Sequence, residues 1–146
     1  MILAGVLALG AAGGPQKTNP WTPAETVTPA VLARQLAKGS GAARPLVVCA
    51  GFNVLYRGAH VPGAVYAGPA SRPQGLAALK KWAAHVSRAA NLVVYCGCCP
   101  MAVCPNIRPA FEALHAMGFT HLRVLVLPHS FARDWVEPGL PVARGR

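Results

Sequence analysis

Short apolar runs alternate with amphipathic segments along most of the chain. The runs at residues 46–50, 64–67, 92–95 and 123–127 show little alternation, which favours short strands buried on both faces of a sheet. One-sided apolar stripes predict helices over residues 29–38, 73–90 and 106–117, and a shorter one over 131–136. Such alternation predicts an α/β domain with a mostly parallel central sheet of about five strands, flanked by helices.

Proline and glycine mark where these elements begin and end. Pro29, preceded by Thr28, suits the first turn of a helix, and Gly39 and Gly118 suit helix ends. Residues 51–63 lose all periodicity and predict a loop. Residues 15–23 are rich in proline and polar side chains, as in a linker. We therefore divide the chain into a leader and linker, residues 1–20, and one folded domain, residues 21–146.

The leader contains an apolar stretch at residues 2–14. Its length matches the apolar region of a secretory signal, about 7 to 15 residues. It is shorter than the ~20 residues that span a bilayer, so no stable membrane span is expected after removal of the leader. We expect export, to the periplasm. No basic residue precedes the stretch, so a cytoplasmic protein whose first helix is buried remains the alternative.

The overall composition is that of a compact, basic chain. Of its 146 residues, 53% are hydrophobic and 12% charged, with a formal net charge of +10. This balance excludes an intrinsically disordered chain and attracts anions in general. Because the basic residues are scattered and not interleaved with aromatic residues, we expect no nucleic-acid partner. Composition leaves the oligomeric state open.

Cys96 follows the apolar run 92–95 directly, which places a thiol at the end of a predicted central strand. Ligands and chemistry collect beyond the carboxyl ends of parallel strands, often opposite a helix N-terminus. A cysteine thiolate is a strong nucleophile, and amides of a tight loop or a nearby arginine favour the thiolate. We therefore expect the loop after Cys96 to lower its pKa.

Several motifs around this cysteine resemble the rhodanese-like, or sulfurtransferase, domain family. They are GAHVPGAVYA at 58–67, VVYCGCCP at 93–100, GFTHLRVL at 118–125 and DWVEPGLPV at 134–142. The resemblance implies that Cys96 carries sulfur as a persulfide, taken from a small anionic donor such as thiosulfate and passed to a thiol or cyanide. It implies no cofactor. It also implies that the donor is bound by the following loop and an arginine, here Gly97, Cys98, Cys99, Pro100, Met101 and Arg108.

Three further cysteines in this loop leave other chemistries open. With Cys96, the thiols of Cys98, Cys99 and Cys104 are sufficient in number for a metal or iron–sulfur site. We expect no metal, because the adjacent Cys98 and Cys99 should not both point at one ion. In an oxidising compartment, Cys98 or Cys99 is expected to pair with Cys104 in a disulfide, or to act as a resolving thiol.

Two other functional classes also have a cysteine at a strand end. Cysteine-dependent phosphatases and arsenate reductases hold an oxyanion with loop amides and an arginine, although Arg108 lies twelve positions after Cys96. The other class is a binding module with this fold and no turnover. Outside the loop, we expect Cys49 to be a small buried hydrophobic residue and His60 a packed loop residue.

Overall fold

A computed structural model of the protein describes residues 20–146, so the predicted leader and residues 15–19 of the linker lie outside the described residues. Five strands form one parallel sheet in the order β1-β5-β4-β2-β3. Their bounds are β1 Thr26–Val27, β2 Leu46–Cys49, β3 Val65–Tyr66, β4 Leu92–Tyr95 and β5 Leu122–Leu125. The predicted α/β architecture is confirmed.

Helices cover both faces of this sheet, because alternate residues of the central strands point to opposite sides. The helices are α1 Pro29–Lys38, α2 Asn53–Gly58, α3 Pro73–Ala83 and α4 Ile107–Ala116. Leu32 of α1 packs with Val47, Val93 and Leu125 on one face. Leu79 of α3 and Leu114 of α4 pack on the other face with Val48, Val94 and Val124.

The C-terminal segment completes the face covered by α1. A short π-helical turn, Ala132–Val136, buries Trp135 completely, and the Trp135 indole N–H donates a 2.8 Å hydrogen bond to the carbonyl of Pro141. Trp135 therefore anchors the C-terminal segment against the face covered by α1.

Three elements differ from the sequence prediction. Helix α3 ends at Ala83, although the apolar stripe predicted a helix up to residue 90. The region 51–63 contains the six-residue helix α2, not only a loop. This helix is held by the buried Tyr56, whose hydroxyl donates to the Ala64 carbonyl at 2.7 Å, so tertiary packing stabilises what local sequence does not favour. Strand β1 was missed because it is only two residues long, and it forms by pairing with β5.

Trp21 and His60 are two further buried residues of the described chain. The Trp21 ring packs edge-on against the Phe111 ring of α4, with 5.9 Å between the ring centres. His60 is 4% exposed and stacks on the Tyr56 ring, which confirms the prediction of a packed histidine. Within residues 20–146, no helix has the length and apolar character needed to cross a bilayer.

Candidate functional site

Cys96 lies one residue beyond β4, the central strand, at the carboxyl edge of the sheet. Backbone pairing continues up to this position, since the Ala50 amide donates to the Tyr95 carbonyl at 2.8 Å. The neighbouring chain is in close contact: a Cβ on Gly51 would fall against the Cys96 carbonyl oxygen. Strand pairing and this close packing fix the Cys96 backbone, and its side chain is 6% exposed.

Gly97 turns the chain sharply after Cys96. Its φ angle is +81°, in the left-handed region that favours glycine. A Cβ here would lie 3.0 Å from the Phe131 Cβ, and the Gly97 carbonyl accepts a 3.2 Å hydrogen bond from the Phe131 amide. The turn brings the following cysteines back towards Cys96.

Four cysteine sulfurs converge at this turn. The Cys98 Sγ lies 3.0 Å from the Cys96 Sγ, 2.9 Å from the Cys99 Sγ and 4.0 Å from the Cys104 Sγ. All four sulfurs lie within 4.8 Å of one another, and all five cysteines of the chain are free thiols. The expectation that the adjacent Cys98 and Cys99 cannot both be directed at one point is therefore wrong. The loop folds back on itself and turns both side chains inwards.

A buried asparagine holds this cluster, and sequence reasoning did not single it out. The Asn106 side chain is fully buried, and its amide group donates to the Cys96 Sγ at 3.3 Å. Its carbonyl oxygen accepts a 2.9 Å hydrogen bond from the Ser71 amide. The available signal was an asparagine directly after Cys104 and Pro105, at the predicted start of a helix.

The electrostatics of the cluster favour negative charge on Cys104. A hydrogen bond from the Cys96 thiol, together with backbone amides of Asn106 and Ile107 at the start of α4, lowers the pKa of Cys104 well below that of a free thiol despite its burial. The hydrogen bond shared with Cys104, followed by burial, raises the pKa of Cys96. The expectation that the loop lowers the pKa of Cys96 is therefore wrong, because the neighbouring sulfur takes the charge first.

Comparison with solved structures shows what this architecture is similar to. The rhodanese-like domain of the Alr3790 protein from Anabaena sp. superposes with a TM-score of 0.59 at 19% identity, over 82% of this chain and 79% of that one. A rhodanese-related protein from Thermoplasma volcanium gives 0.52 at 12% identity, over 82% and 97%. Neither a family model nor a curated protein matches the sequence.

A third solved structure is much longer than this chain. Thiosulfate sulfurtransferase from Pseudomonas aeruginosa gives a TM-score of 0.54 at 20% identity, over 93% of this chain but only 22% of that one. The chain has a rhodanese-like fold. At these identities the likeness establishes the fold, and the chemistry of this rhodanese-like domain has to be argued from its own residues.

The other predicted site residues of the rhodanese-like domain differ in whether their backbone amides face Cys96. The Cys98 amide faces the Cys96 sulfur, whereas the Met101 amide donates to the Leu127 carbonyl at 3.0 Å and Pro100 has no N–H to offer. The Met101 side chain packs against the core. Of the predicted loop backbone, the Cys98 amide is thus directed at Cys96, whereas Pro100 and Met101 contribute no amide to it.

Arg108 lies beside the cluster. Its guanidinium carbon is 6.0 Å from the centre of the Trp21 ring. Both side chains line a cavity of about 240 Å³ that is also lined by Met101 and Cys104. Arg108 therefore contributes positive potential to the approach from the Cys104 side, although it does not close a tight loop around Cys96.

Proposed function

We propose that this rhodanese-like domain transfers sulfane sulfur through a persulfide on Cys96. The observation that carries the proposal is the position of the Cys96 sulfur. It lies just beyond the central strand, accepts a hydrogen bond from Asn106 and has a second thiol 3.0 Å away. The rhodanese-like fold and the similarity to a thiosulfate sulfurtransferase support this choice of chemistry.

Loading of the carrier is a displacement at sulfur. The Cys96 thiol passes its proton to the Cys104 sulfur, with which it shares a hydrogen bond. The resulting Cys96 thiolate attacks the outer sulfur of a thiosulfate-like donor, a new S–S bond forms, and the donor's own S–S bond breaks with both electrons leaving on sulfite. The Asn106 amide and the Cys98 N–H lie where they can stabilise a negatively charged sulfur. Arg108 and the net charge of +10 favour approach of an anionic donor.

Discharge returns the carrier to its starting state. An external thiolate or cyanide attacks the outer sulfur of the Cys96 persulfide, takes it up, and leaves the Cys96 thiolate. Cys98 offers an internal route because its sulfur is within contact distance. There the Cys98 thiol attacks the inner sulfur, a Cys96–Cys98 disulfide forms and hydrosulfide leaves. An external dithiol then has to reduce this disulfide.

Peptide mapping of the sulfur adduct tests the proposal. Reduced protein, treated with a chelator to remove metal, is incubated with thiosulfate, alkylated and digested for mass spectrometry. We expect one added sulfur on Cys96, and none after Cys96→Ser. The Cys98→Ser variant should accumulate more persulfide if the internal route operates.

Three outcomes would contradict the proposal. They are an adduct that maps to another cysteine, an adduct that survives Cys96→Ser, and no adduct at all. Hydrolysis of an aryl phosphate without any sulfur adduct would instead favour the phosphatase-like alternative.

A further inference from the structure

We propose that Cys96, Cys98, Cys99 and Cys104 together bind a single thiolate-preferring metal cation, for which zinc is the best match. The four sulfurs come from the end of β4, from the loop after Gly97 and from the turn before α4. They form the four-thiolate donor set that zinc takes in closed, four-coordinate sites.

The spacing of the sulfurs fits one ion. Zinc–sulfur bonds of about 2.3 Å in a tetrahedron place the sulfurs about 3.8 Å apart. The observed separations around Cys98 run from 2.9 to 4.0 Å, and no pair among the four exceeds 4.8 Å. The separations of 3.0 and 2.9 Å from Cys98 to Cys96 and Cys99 are shorter than this, so those side chains have to rotate apart by about 1 Å when an ion enters. A cluster of several irons needs a wider opening between the sulfurs.

The surroundings of the sulfurs are those of a thiolate centre. The Asn106 side-chain amide lies 3.3 Å from the Cys96 Sγ and 3.9 Å from the Cys98 Sγ. Because its carbonyl is held by the Ser71 amide, the N–H side of Asn106 is directed at the sulfurs. Outer hydrogen bonds of this kind orient ligands and stabilise their negative charge. Arg108, on the adjoining cavity, adds positive charge near a centre whose net charge would be −2.

The cluster is also accessible to an ion. Cys98 and Cys99 are half-buried, and Cys104 lines the cavity of about 240 Å³. Cys49, the remaining cysteine, is 2% exposed in β2 and belongs to the core on the opposite face of the sheet. The chain therefore supplies its own control residue, a fifth thiol outside the cluster.

Binding of the ion is an acid–base reaction without electron transfer. Zn²⁺ accepts one electron pair from each sulfur, four Zn–S bonds form, and each sulfur that was protonated releases its proton to solvent. In the loaded state the Cys96 sulfur is a ligand and is no longer available as a nucleophile. That consequence rests on the proposed sulfur transfer, whereas metal binding itself does not.

Metal titration of the reduced, chelator-treated full-length chain tests the inference. We expect one equivalent of Zn²⁺ in competition with a chromophoric chelator. One equivalent of Co²⁺ should give the sulfur-to-cobalt charge-transfer and d–d bands of a tetrahedral thiolate site. Cys99→Ser and Cys104→Ser should each weaken zinc binding by about 100-fold. Cys49→Ala should bind as the wild type does.

The cobalt spectrum of the wild-type chain reports four thiolates even if a variant fails to fold. Binding of less than one equivalent, a cobalt spectrum without thiolate bands, or equal zinc affinity of the folded Cys99→Ser variant would overturn the inference. In a parallel assay, zinc loading should abolish sulfur uptake from thiosulfate, and a chelator should restore it. If the apo chain takes up no sulfur but binds zinc through four thiolates, the transfer proposal fails and the metal site stands.

Discussion

Two neighbouring parallel strands of this sheet have a cysteine at or just beyond their carboxyl ends, and the two cysteines have very different surroundings. Cys49 is the last residue of β2 and pairs in register with Tyr95, while Cys96 lies one position beyond the end of β4. The Cys49 thiol is 2% exposed, donates to the Cys96 carbonyl, and has a pKa raised to about 11 by burial. The Cys96 thiol instead meets three other sulfurs and an amide donor.

The difference comes from the face of the sheet to which each side chain points. Cys49 and Tyr95 belong to the core beneath α1, whereas Cys96 belongs to the core beneath α4 together with Cys104 and Ile107. Successive residues of a strand point to opposite faces, so a shift of one position moves the thiol from a dry core to the start of a helix. In this domain, a cysteine at a strand end is therefore a candidate nucleophile only on the face of the sheet that carries the other sulfurs and the start of α4.

Replacing each of these two thiols by alanine should give the largest difference in activity between the two strand ends. Cys96→Ala should reduce thiosulfate turnover to below about one hundredth of the wild-type rate, because the attacking atom is lost. Cys49→Ala should retain the wild-type rate within about twofold, because it removes a core contact and one long hydrogen bond to the Cys96 carbonyl but no reacting atom. Steady-state sulfite release measures both. Equal losses in the two variants would mean that the strand ends are not functionally distinct.

Substitutions of Asn106 test whether this side chain stabilises the fold, the Cys96 thiolate or both. Asn106→Leu should lower the free energy of unfolding by about 1–3 kcal/mol, since the Ser71 amide loses its acceptor, and it should slow sulfur transfer as well. Asn106→Asp keeps the acceptor for Ser71 but places a carboxylate against the sulfurs. It should recover part of the stability without recovering kcat.

Urea denaturation and steady-state kinetics separate the two effects of Asn106. Recovery of kcat together with stability in Asn106→Asp would show that Asn106 acts on the fold alone.

Substitution of Gly51 tests whether the chain after β2 has to lie this close to the Cys96 backbone after β4. In Gly51→Ala the new methyl group meets the Cys96 carbonyl, so the chain after β2 has to shift, at a cost of about 1–3 kcal/mol. Gly58→Ala is the matched control, since a Cβ at that position meets no other atom within 4 Å. Denaturation midpoints of the two variants measure the difference. Equal midpoints would show that the close approach is not a constraint.

Substitution of Arg108 should have the smallest effect on sulfur transfer. Arg108→Ala removes a charge from the cavity beside Cys104 and should raise the KM for thiosulfate by about three- to tenfold, with little change in kcat, since a single partly solvated charge contributes about 1 kcal/mol. Arg34→Ala, on helix α1 across the sheet, is the control. If the KM values for thiosulfate match in the two variants, donor approach does not depend on this cavity.

Much of the fold could be predicted because its signals are local. The apolar runs of β2, β4 and β5 and the stripes of α1, α3 and α4 are continuous in sequence, and Pro29 and Gly39 mark the first helix correctly. Helix α2 and strand β1 were missed because neither is stable by itself. Each forms only where tertiary packing or a neighbouring strand completes it.

For the site, the sequence by itself determined that a thiol follows the central strand, that three more lie within the next eight residues, and that the chain is basic. Only the tertiary structure decided that the four sulfurs converge within 4.8 Å, that Asn106 is directed at them, and that Cys104 has the lowered pKa. These features depend on a left-handed turn at Gly97 and on the docking of α4 against the sheet. Such distances in space are not encoded by the spacing of residues along the chain.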